Sequence, residues 1–137
     1  MSVPPEVLEV VQRWTDKAEH DLEAANRILA VEEGCPYDTA CFHCQQVVEK
    51  CLKALLTLAG IHAPRTHNLE ALHNLLPRRY RLSVSDAELA SLNPYAVEVR
   101  CADDWHGPSP DEAASAVSVA RKVREEARGL LPSEPAS

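Results

Sequence analysis

Glycine, strand patterns and long apolar runs are all scarce in this chain of 137 residues, which contains 4 glycines. No stretch has β-branched residues at every second position, which is the pattern of a half-buried strand, so the sequence contains no candidate strand. The longest apolar run, residues 51–59, contains Lys53 and is far shorter than the roughly 20 residues that cross a bilayer. Residues 1–6 contain neither a basic nor an apolar segment, so no secretory signal is expected. These absences predict a helical, cytoplasmic protein without a membrane span.

Basic residues are also in the minority. The chain has 14 Lys and Arg against 21 Asp and Glu, a formal net charge of −7. Non-specific coating of nucleic acid requires clustered cations, so this charge excludes it but leaves room for a small local site. The sequence contains no Gly-rich phosphate loop and no nucleophile elbow, and we expect no cofactor.

The length indicates one domain. Roughly 150 residues is the usual size of a domain, and a chain of this length buries enough surface for a core without disulfides or metal. We therefore predict a single domain over residues 1–131 and a disordered tail over residues 132–137.

Helical periodicity accounts for most of the chain. Two long helices are predicted over residues 6–31 and 38–59, which Gly34 and Gly60 end. A third long helix is predicted to begin at residues 109–112, with Ser109 as the N-cap, Pro110 as the first helical residue and two acids in the first turn. The predicted fold class is all-α: an up-and-down antiparallel bundle of about five helices, three long and two short.

The two short helices are expected between the second and third long ones. Thr66 is the predicted N-cap of the first, and Ser85 with Glu88 forms a capping box for the second. The first short helix is predicted to turn four leucines inward: Leu69, Leu72, Leu75 and Leu76.

The second long helix separates apolar and polar faces. Its inward stripe is predicted to consist of Cys41, Cys44, Val48, Cys51, Leu55 and Leu58. Its other faces, which we interpret first as solvated, carry His43, Gln45, Gln46, Glu49, Lys50 and Lys53. Glu49 and Lys53 have the spacing of an intrahelical ion pair, and the alternative is that these residues border a cleft.

Two further polar residues invite structural interpretations. Asp21 interrupts the apolar stripe of the first helix, so its carboxylate is expected to form a hydrogen bond across the bundle. His67 directly follows the expected cap and is predicted to bond to a local partner.

Four of the five cysteines fall between residues 35 and 51. In a reducing compartment they are thiols rather than disulfides. Cys41 and Cys44 have the C-x-x-C spacing of zinc ligands, but a structural zinc site places such a pair in a tight turn, whereas this pair lies within a predicted helix. Because Cys51 continues the same face, the pattern favours thiols packed in the core over a metal site.

An arginine loop follows the first short helix: Pro77-Arg78-Arg79-Tyr80-Arg81. Guanidinium groups beside a stackable ring suit single-stranded RNA. The alternative is a solvated loop whose arginines pair with some of the many acids of the chain.

A second candidate site is the pair Arg100 and His106, which precedes the last helix. On a continuous helix the two side chains would point apart, but Gly107 and Pro108 favour a turn that brings them together. An imidazole that titrates near neutral pH can move the proton of an RNA 2′-OH or protonate the leaving oxygen. A permanently charged guanidinium can stabilise the phosphate.

The chain resembles the HEPN domain family, whose members are small helical bundles common in prokaryotes. The resemblance extends over about residues 10–130, and residues 37–56 are its most specific part. It is carried by Trp14, Ala18, Asp21, Leu22, Ala25, Tyr37, Ala40, Phe42, Gln45, Gln46, Glu49, Lys50, Leu52, Lys53, Ala54, Thr66, His67, Leu69, Leu72, Tyr95, Val99 and Arg100.

The resemblance implies a homodimer and, for many members, a metal-independent endoribonuclease. Its Arg-x4–6-His motif lines a cleft between the protomers, and Arg100 and His106 match that spacing. Small members are often toxins paired with an MNT nucleotidyltransferase. Such a partner can adenylylate a tyrosine near the motif, but Pro108 stands at that position here. The branch that this chain resembles most usually has Arg-Tyr-Pro-Asp at this place, often without the histidine.

Two functions follow from these observations. The first is an RNA-cleaving toxin, neutralised by an MNT partner, in which Arg100 and His106 are catalytic. Arg78, Arg79, Arg81 and Lys53 would then bind RNA or nucleotide. The second is a non-catalytic dimerisation module that binds a nucleotide, RNA or a protein partner.

Overall fold

The computed structural model describes residues 3–96 and 107–132. Its helices are α1 (Pro5–Leu29), α2 (Tyr37–Leu58), α3 (Leu69–Asn74), α4 (Asp86–Ala90) and α5 (Pro110–Leu130). Single 3-10 turns follow α3 and α4, at Arg78–Tyr80 and Asn93–Tyr95. The described ranges contain three long helices, two short ones and no strand, which confirms the all-α bundle. No described helix combines the length and apolar character that a membrane crossing needs.

The first two helices form an antiparallel pair. Trp14, in the first half of α1, lies beside Lys53 in the second half of α2, with 5.3 Å between the Lys53 Nζ and the ring centroid. Further along α1, Asp21 contacts His43, in the first half of α2. The order of these contacts is reversed between the two helices, as expected for helices joined by a short connection.

The last helix packs against both members of this pair and runs antiparallel to α1. Arg124 contacts Glu19 through two guanidinium nitrogens, and Arg121 donates a hydrogen bond to Asn26 at 2.7 Å. The short helices and turns between α2 and α5 therefore carry the chain back to the end of the bundle where α2 began.

The three cysteines of the predicted α2 stripe lie in the core. Cys41, Cys44 and Cys51 are all buried, which confirms the packing interpretation. Burial raises the pKa of the Cys44 and Cys51 thiols to about 12, so they remain neutral at physiological pH. In residues 3–96 and 107–132, no three or more His, Cys, Asp or Glu side chains are grouped in a way that could hold a metal ion.

The start of α3 differs from the prediction. Asn68, not Thr66, is its N-cap, and the Asn68 side chain accepts a hydrogen bond from the Ala71 N–H at 2.9 Å. The Thr66 hydroxyl instead accepts from the Asn68 N–H at 3.1 Å. The inward position predicted for Leu75 is wrong as well: this side chain is 43% exposed, because it lies in the C-cap turn that follows the last helical residue.

The solvated surface predicted on α2 is wrong for two residues. Gln45 is fully buried and Glu49 is 4% exposed. Both stay polar in a buried position because side chains from α2 and from the loop after it supply their hydrogen bonds.

Candidate functional site

Two buried carboxylates, Asp21 and Glu49, each bind one histidine and one lysine. Asp21 lies on α1 and is 8% exposed. Its Oδ1 lies 2.8 Å from the Nδ1 of His43, and its Oδ2 accepts a hydrogen bond from the Nζ of Lys50. This confirms the hydrogen bond expected across the bundle. We call these three residues the Asp21 cluster.

Glu49 lies on α2 and forms the second group, the Glu49 cluster. Its Oε1 lies 2.8 Å from the Nδ1 of His67 and accepts from the Nε2 of Gln45 at 3.1 Å. Its Oε2 accepts from the Nζ of Lys53 at 3.1 Å, so the predicted intrahelical pair is present. The partner of His67 is thus a residue of α2 rather than the local partner predicted.

The charge of Glu49 is stabilised by these contacts. Burial alone would raise its pKa, because a carboxylate loses hydration in the interior. Hydrogen bonds from His67, Gln45 and Lys53 outweigh burial, so the pKa of Glu49 lies below its ordinary value. The carboxylate is therefore ionised at neutral pH and holds its donors in fixed positions.

Each cluster orients an imidazole. Nδ1 of His43 and Nδ1 of His67 both face a carboxylate, so Nδ1 carries a proton, and in the neutral ring Nε2 is the acceptor. A carboxylate that fixes the tautomer in this way is a common arrangement for a general base. The His67 side chain is 62% exposed, against 24% for His43, so the His67 ring is the more accessible of the two.

Trp14 connects the α1 surface with the Glu49 cluster. The Nζ of Lys53 lies 5.3 Å from the ring centroid of Trp14, and the Nζ of Lys17 lies 5.7 Å from it. Both distances are within the range of a cation–π interaction. Lys53, a predicted RNA- or nucleotide-binding residue, is therefore half-buried and held by Glu49 and Trp14. Its role in RNA binding remains a prediction.

The arginine loop presents two guanidinium groups to solvent. Arg78 and Arg79 are exposed on the 3-10 turn, and the Arg79 guanidinium stacks 4.9 Å from the Tyr80 ring centroid. Among the described residues, no ion pair involves Arg78, Arg79 or Arg81, so the alternative of arginines paired with acids is not what this loop shows. Arg81 folds back instead, and its Nε donates to the Leu76 carbonyl at 3.0 Å.

The predicted catalytic residues Arg100 and His106 lie outside the described residues, as do residues 133–137 of the predicted tail. The chain on either side of the segment 97–106 is well anchored. The Asn93 side chain accepts from the Leu69 N–H at 3.0 Å and donates to Glu70 at 2.6 Å. On the far side, Ser109 and Glu112 form the capping box that begins α5.

The sequence contained a signal for the Glu49 cluster of which the prediction used only the Glu49 and Lys53 pair. Gln45, Glu49 and Lys53 follow one another at intervals of four residues, which places them in one row on a helix. The contribution of His67 has no such signal, because it depends on how the loop before α3 returns to α2.

Comparison with known proteins identifies the family. A family model described as HEPN domain matches residues 11–130. The protein TT1696 from Thermus thermophilus, known from its crystal structure, is similar in fold with a TM-score of 0.74 and 25% identity, covering 88% of this chain and 98% of its own. The crystal structure of ST0689, an archaeal HEPN homologue, gives a TM-score of 0.63 at 24% identity and covers 89% and 98%. No curated protein shows significant similarity to the chain.

Proposed function

Because this chain belongs to the HEPN domain family, we propose that it cleaves RNA without a metal ion, with Arg100 and His106 as the reacting pair of a homodimer. The observation that carries the proposal is the Arg-x5-His spacing of these two residues within the matched domain. HEPN domains commonly dimerise, and the proposed cleft is completed by the second copy.

The proposed reaction needs no group beyond the RNA and these two side chains. The 2′-oxygen of a ribose attacks the adjacent phosphorus, and the bond from phosphorus to the 5′-oxygen of the next nucleotide breaks. Imidazole groups take the 2′-OH proton and give a proton to the leaving oxygen, while Arg100 stabilises the negative charge on the phosphate. The products are a 2′,3′-cyclic phosphate and a 5′-OH, so atoms and charge balance.

The arginine loop and Lys53 are proposed to bind the RNA strand. Arg78 and Arg79 are exposed cations without a carboxylate partner among the described residues, and Tyr80 adds an aromatic ring to the same turn. Such a loop can bind phosphates and stack on unpaired bases in a protein that is acidic overall. An RNA substrate agrees with the cytoplasmic location expected from the sequence.

The proposed partner is an MNT-type nucleotidyltransferase that neutralises the toxin. Tyrosine adenylylation two residues after His106 is not part of the proposal, because Pro108 occupies that position. Neutralisation would then depend on contact with the partner. Growth arrest when the protein is expressed alone, and its relief by co-expression of a nucleotidyltransferase encoded in a neighbouring reading frame, would support the pairing; a genome without such a frame would weaken it.

Cleavage assays with the purified dimer test the proposal. Wild type and the variants Arg100→Ala, His106→Ala and His20→Ala are incubated with labelled tRNA and mRNA in EDTA, and the products are resolved on a gel. We expect wild type and His20→Ala, an exposed control on α1, to give 2′,3′-cyclic phosphate ends. The Arg100 and His106 variants should fold but not cleave. Cleavage that persists in His106→Ala with an unchanged melting temperature would reject the assignment.

The second candidate function is a non-catalytic binding module. Cys101 favours it, because a polar residue usually follows the arginine of the ribonuclease motif and this chain has a thiol there. In that case Arg100 contacts phosphate only. The same preparations would bind RNA or nucleotide with micromolar or tighter affinity and show no turnover at high protein concentration.

A further inference from the structure

His73 is a buried histidine that the proposed reaction does not use. It lies on α3 and is 6% exposed. Its Nε2 accepts a hydrogen bond from the backbone N–H of Leu82 at 2.9 Å, just after the arginine loop. Because Nε2 acts as an acceptor, the neutral ring must carry its proton on Nδ1.

Few other hydrogen bonds attach the end of the arginine loop to the rest of the protein. Arg81 donates through Nε to the Leu76 carbonyl at 3.0 Å, and its second contact, to the Asn74 carbonyl, is long at 3.5 Å. Beyond the loop, the Ser83 N–H donates to Oε1 of Glu126 on α5 at 2.9 Å. In chain order, the bond from Leu82 to His73 therefore lies between the two Arg81 bonds and the Ser83 bond that fix the end of the loop.

Two buried atoms at this place lack a hydrogen bond to any described residue: Nδ1 of His73 and Oε2 of Glu126. One carries a proton and the other can accept one. Buried polar atoms without partners are uncommon, and each costs the folded state some stability.

Charged groups of three elements surround His73. Burial and the nearby Arg81 guanidinium lower the pKa of the imidazole, while Asp86 on α4 and Glu126 on α5 raise it by a smaller amount. The net effect keeps His73 neutral at physiological pH. The two carboxylates nevertheless give a charged ring at acidic pH some compensation.

We propose that His73 is a positioning residue for the arginine loop, and that the hydrogen bond it accepts from Leu82 makes the loop acid-sensitive. Protonation at Nε2 turns the acceptor into a donor, so a ring N–H would face the Leu82 N–H. That bond must break, which leaves the loop end attached only by the hydrogen bonds of Arg81 and Ser83. The RNA part of this proposal rests on the proposed function, because it takes Arg78 and Arg79 as RNA-binding residues.

Amide hydrogen exchange on the labelled full-length chain tests the bond itself. Exchange of the Leu82 amide and titration of His73 are followed by NMR from pH 7.5 to pH 5.0 in wild type, His73→Gln and His73→Phe. The glutamine carbonyl can accept the Leu82 bond but does not titrate, whereas phenylalanine cannot accept it at any pH.

We expect wild type and His73→Gln to protect Leu82 equally at pH 7.5, and wild-type protection to fall as His73 takes up its proton, while His73→Gln keeps its protection. His73→Phe should lack the protection at both pH values. Leu82 protection that changes with pH equally in wild type and His73→Gln would overturn the proposal. The wild-type protein also provides a test if a variant fails to fold. Loss of Leu82 protection over a pH range in which His73 does not titrate would overturn the proposal.

The effect on RNA is measured separately, by fluorescence anisotropy with a single-stranded oligoribonucleotide and with His20→Gln as an exposed control. The RNA affinity of wild type, divided by that of His73→Gln, should fall about threefold from pH 7.5 to pH 5.0. The RNA affinity of wild type divided by that of His20→Gln should not change. A constant ratio would show that the loop bond does not control binding. If no preparation binds RNA at either pH, the proposed function fails, while the exchange data still decide the role of His73.

Discussion

At the scale of single residues, the carboxylates of Asp21 and Glu49 are buried, and each contacts a lysine and a histidine. An ionised group in the interior is costly unless it is paired and hydrogen-bonded. Asp21 and Glu49 meet that condition through His43, Lys50, His67, Lys53 and Gln45. The same contacts fix the lysine and histidine side chains, among them Lys53, which is proposed to bind RNA.

Replacing Glu49 with glutamine should destabilise the protein by about 2 kcal/mol, because the variant leaves Lys53 without its ion pair in a half-buried position. Urea unfolding at pH 7 measures this loss. Glu23→Gln is the matched control, since Glu23 pairs with Arg27 at an exposed site and should contribute less than about 0.5 kcal/mol. Equal effects of the two changes would contradict the importance of the buried cluster.

The destabilisation by Glu49→Gln should depend on pH. The folded protein holds the pKa of Glu49 below its ordinary value, so this stabilisation is fully present above the unfolded pKa of about 4.3. It is lost as the pH falls through the folded pKa, where the carboxylate takes up a proton. The difference in unfolding free energy between wild type and variant should therefore shrink below about pH 4. A difference that stays constant from pH 7 to pH 3 would contradict this account.

At the scale of elements, local sequence predicted most of the helices. Both capping boxes form, at Ser85 with Glu88 and at Ser109 with Glu112, because their signal lies within four consecutive residues. The start of α3 was harder, since Thr66 and Asn68 are both good caps and the choice depends on a tertiary contact. The Leu69 N–H bonds to Asn93, 24 residues later in the chain.

Removing the cap of α5 should lower the stability of the bundle. Ser109→Ala loses the hydroxyl that accepts from the Glu112 N–H at 3.1 Å, and about 1 kcal/mol is the usual cost. Thermal unfolding compares it with Ser118→Ala, an exposed position inside the same helix. The control should be neutral or slightly stabilising, because alanine favours helices. A loss as large in Ser118→Ala would show that the cap is not the cause.

At the scale of the whole molecule, the sequence predicted which helices exist better than which side chains meet. The apolar stripes and the antiparallel packing of α1 and α2 follow from periodicity and a short connection. The pairing of Asp21 with Lys50, or of Glu49 with His67, depends on how far one element is shifted along another. That shift is decided by packing of the whole core. Gln45 and Glu49 were accordingly assigned to a solvated face that turned out to be buried.

The molecule as a whole is acidic, so any RNA binding must come from local cations. We expect affinity for single-stranded RNA to fall with salt, at a slope of about 0.7 per phosphate contact on logarithmic axes. The double variant Arg78→Gln/Arg79→Gln should reduce that slope by about 1.4, because it removes two phosphate contacts. Arg128→Gln, an exposed control on α5, should leave it unchanged. Equal slopes for all three proteins would show that the arginine loop does not contact the phosphates of the RNA.

The most direct test of the central claim is the rate of RNA cleavage in EDTA by wild type and by His106→Ala. Single-turnover rates are measured on one labelled RNA, with both proteins at the same concentration and with equal melting temperatures. A general acid–base group contributes about 10²–10⁴-fold, so the account predicts that His106→Ala is slower by at least about a hundredfold. Equal rates for the two proteins would contradict it, as would no cleavage by wild type at high concentration.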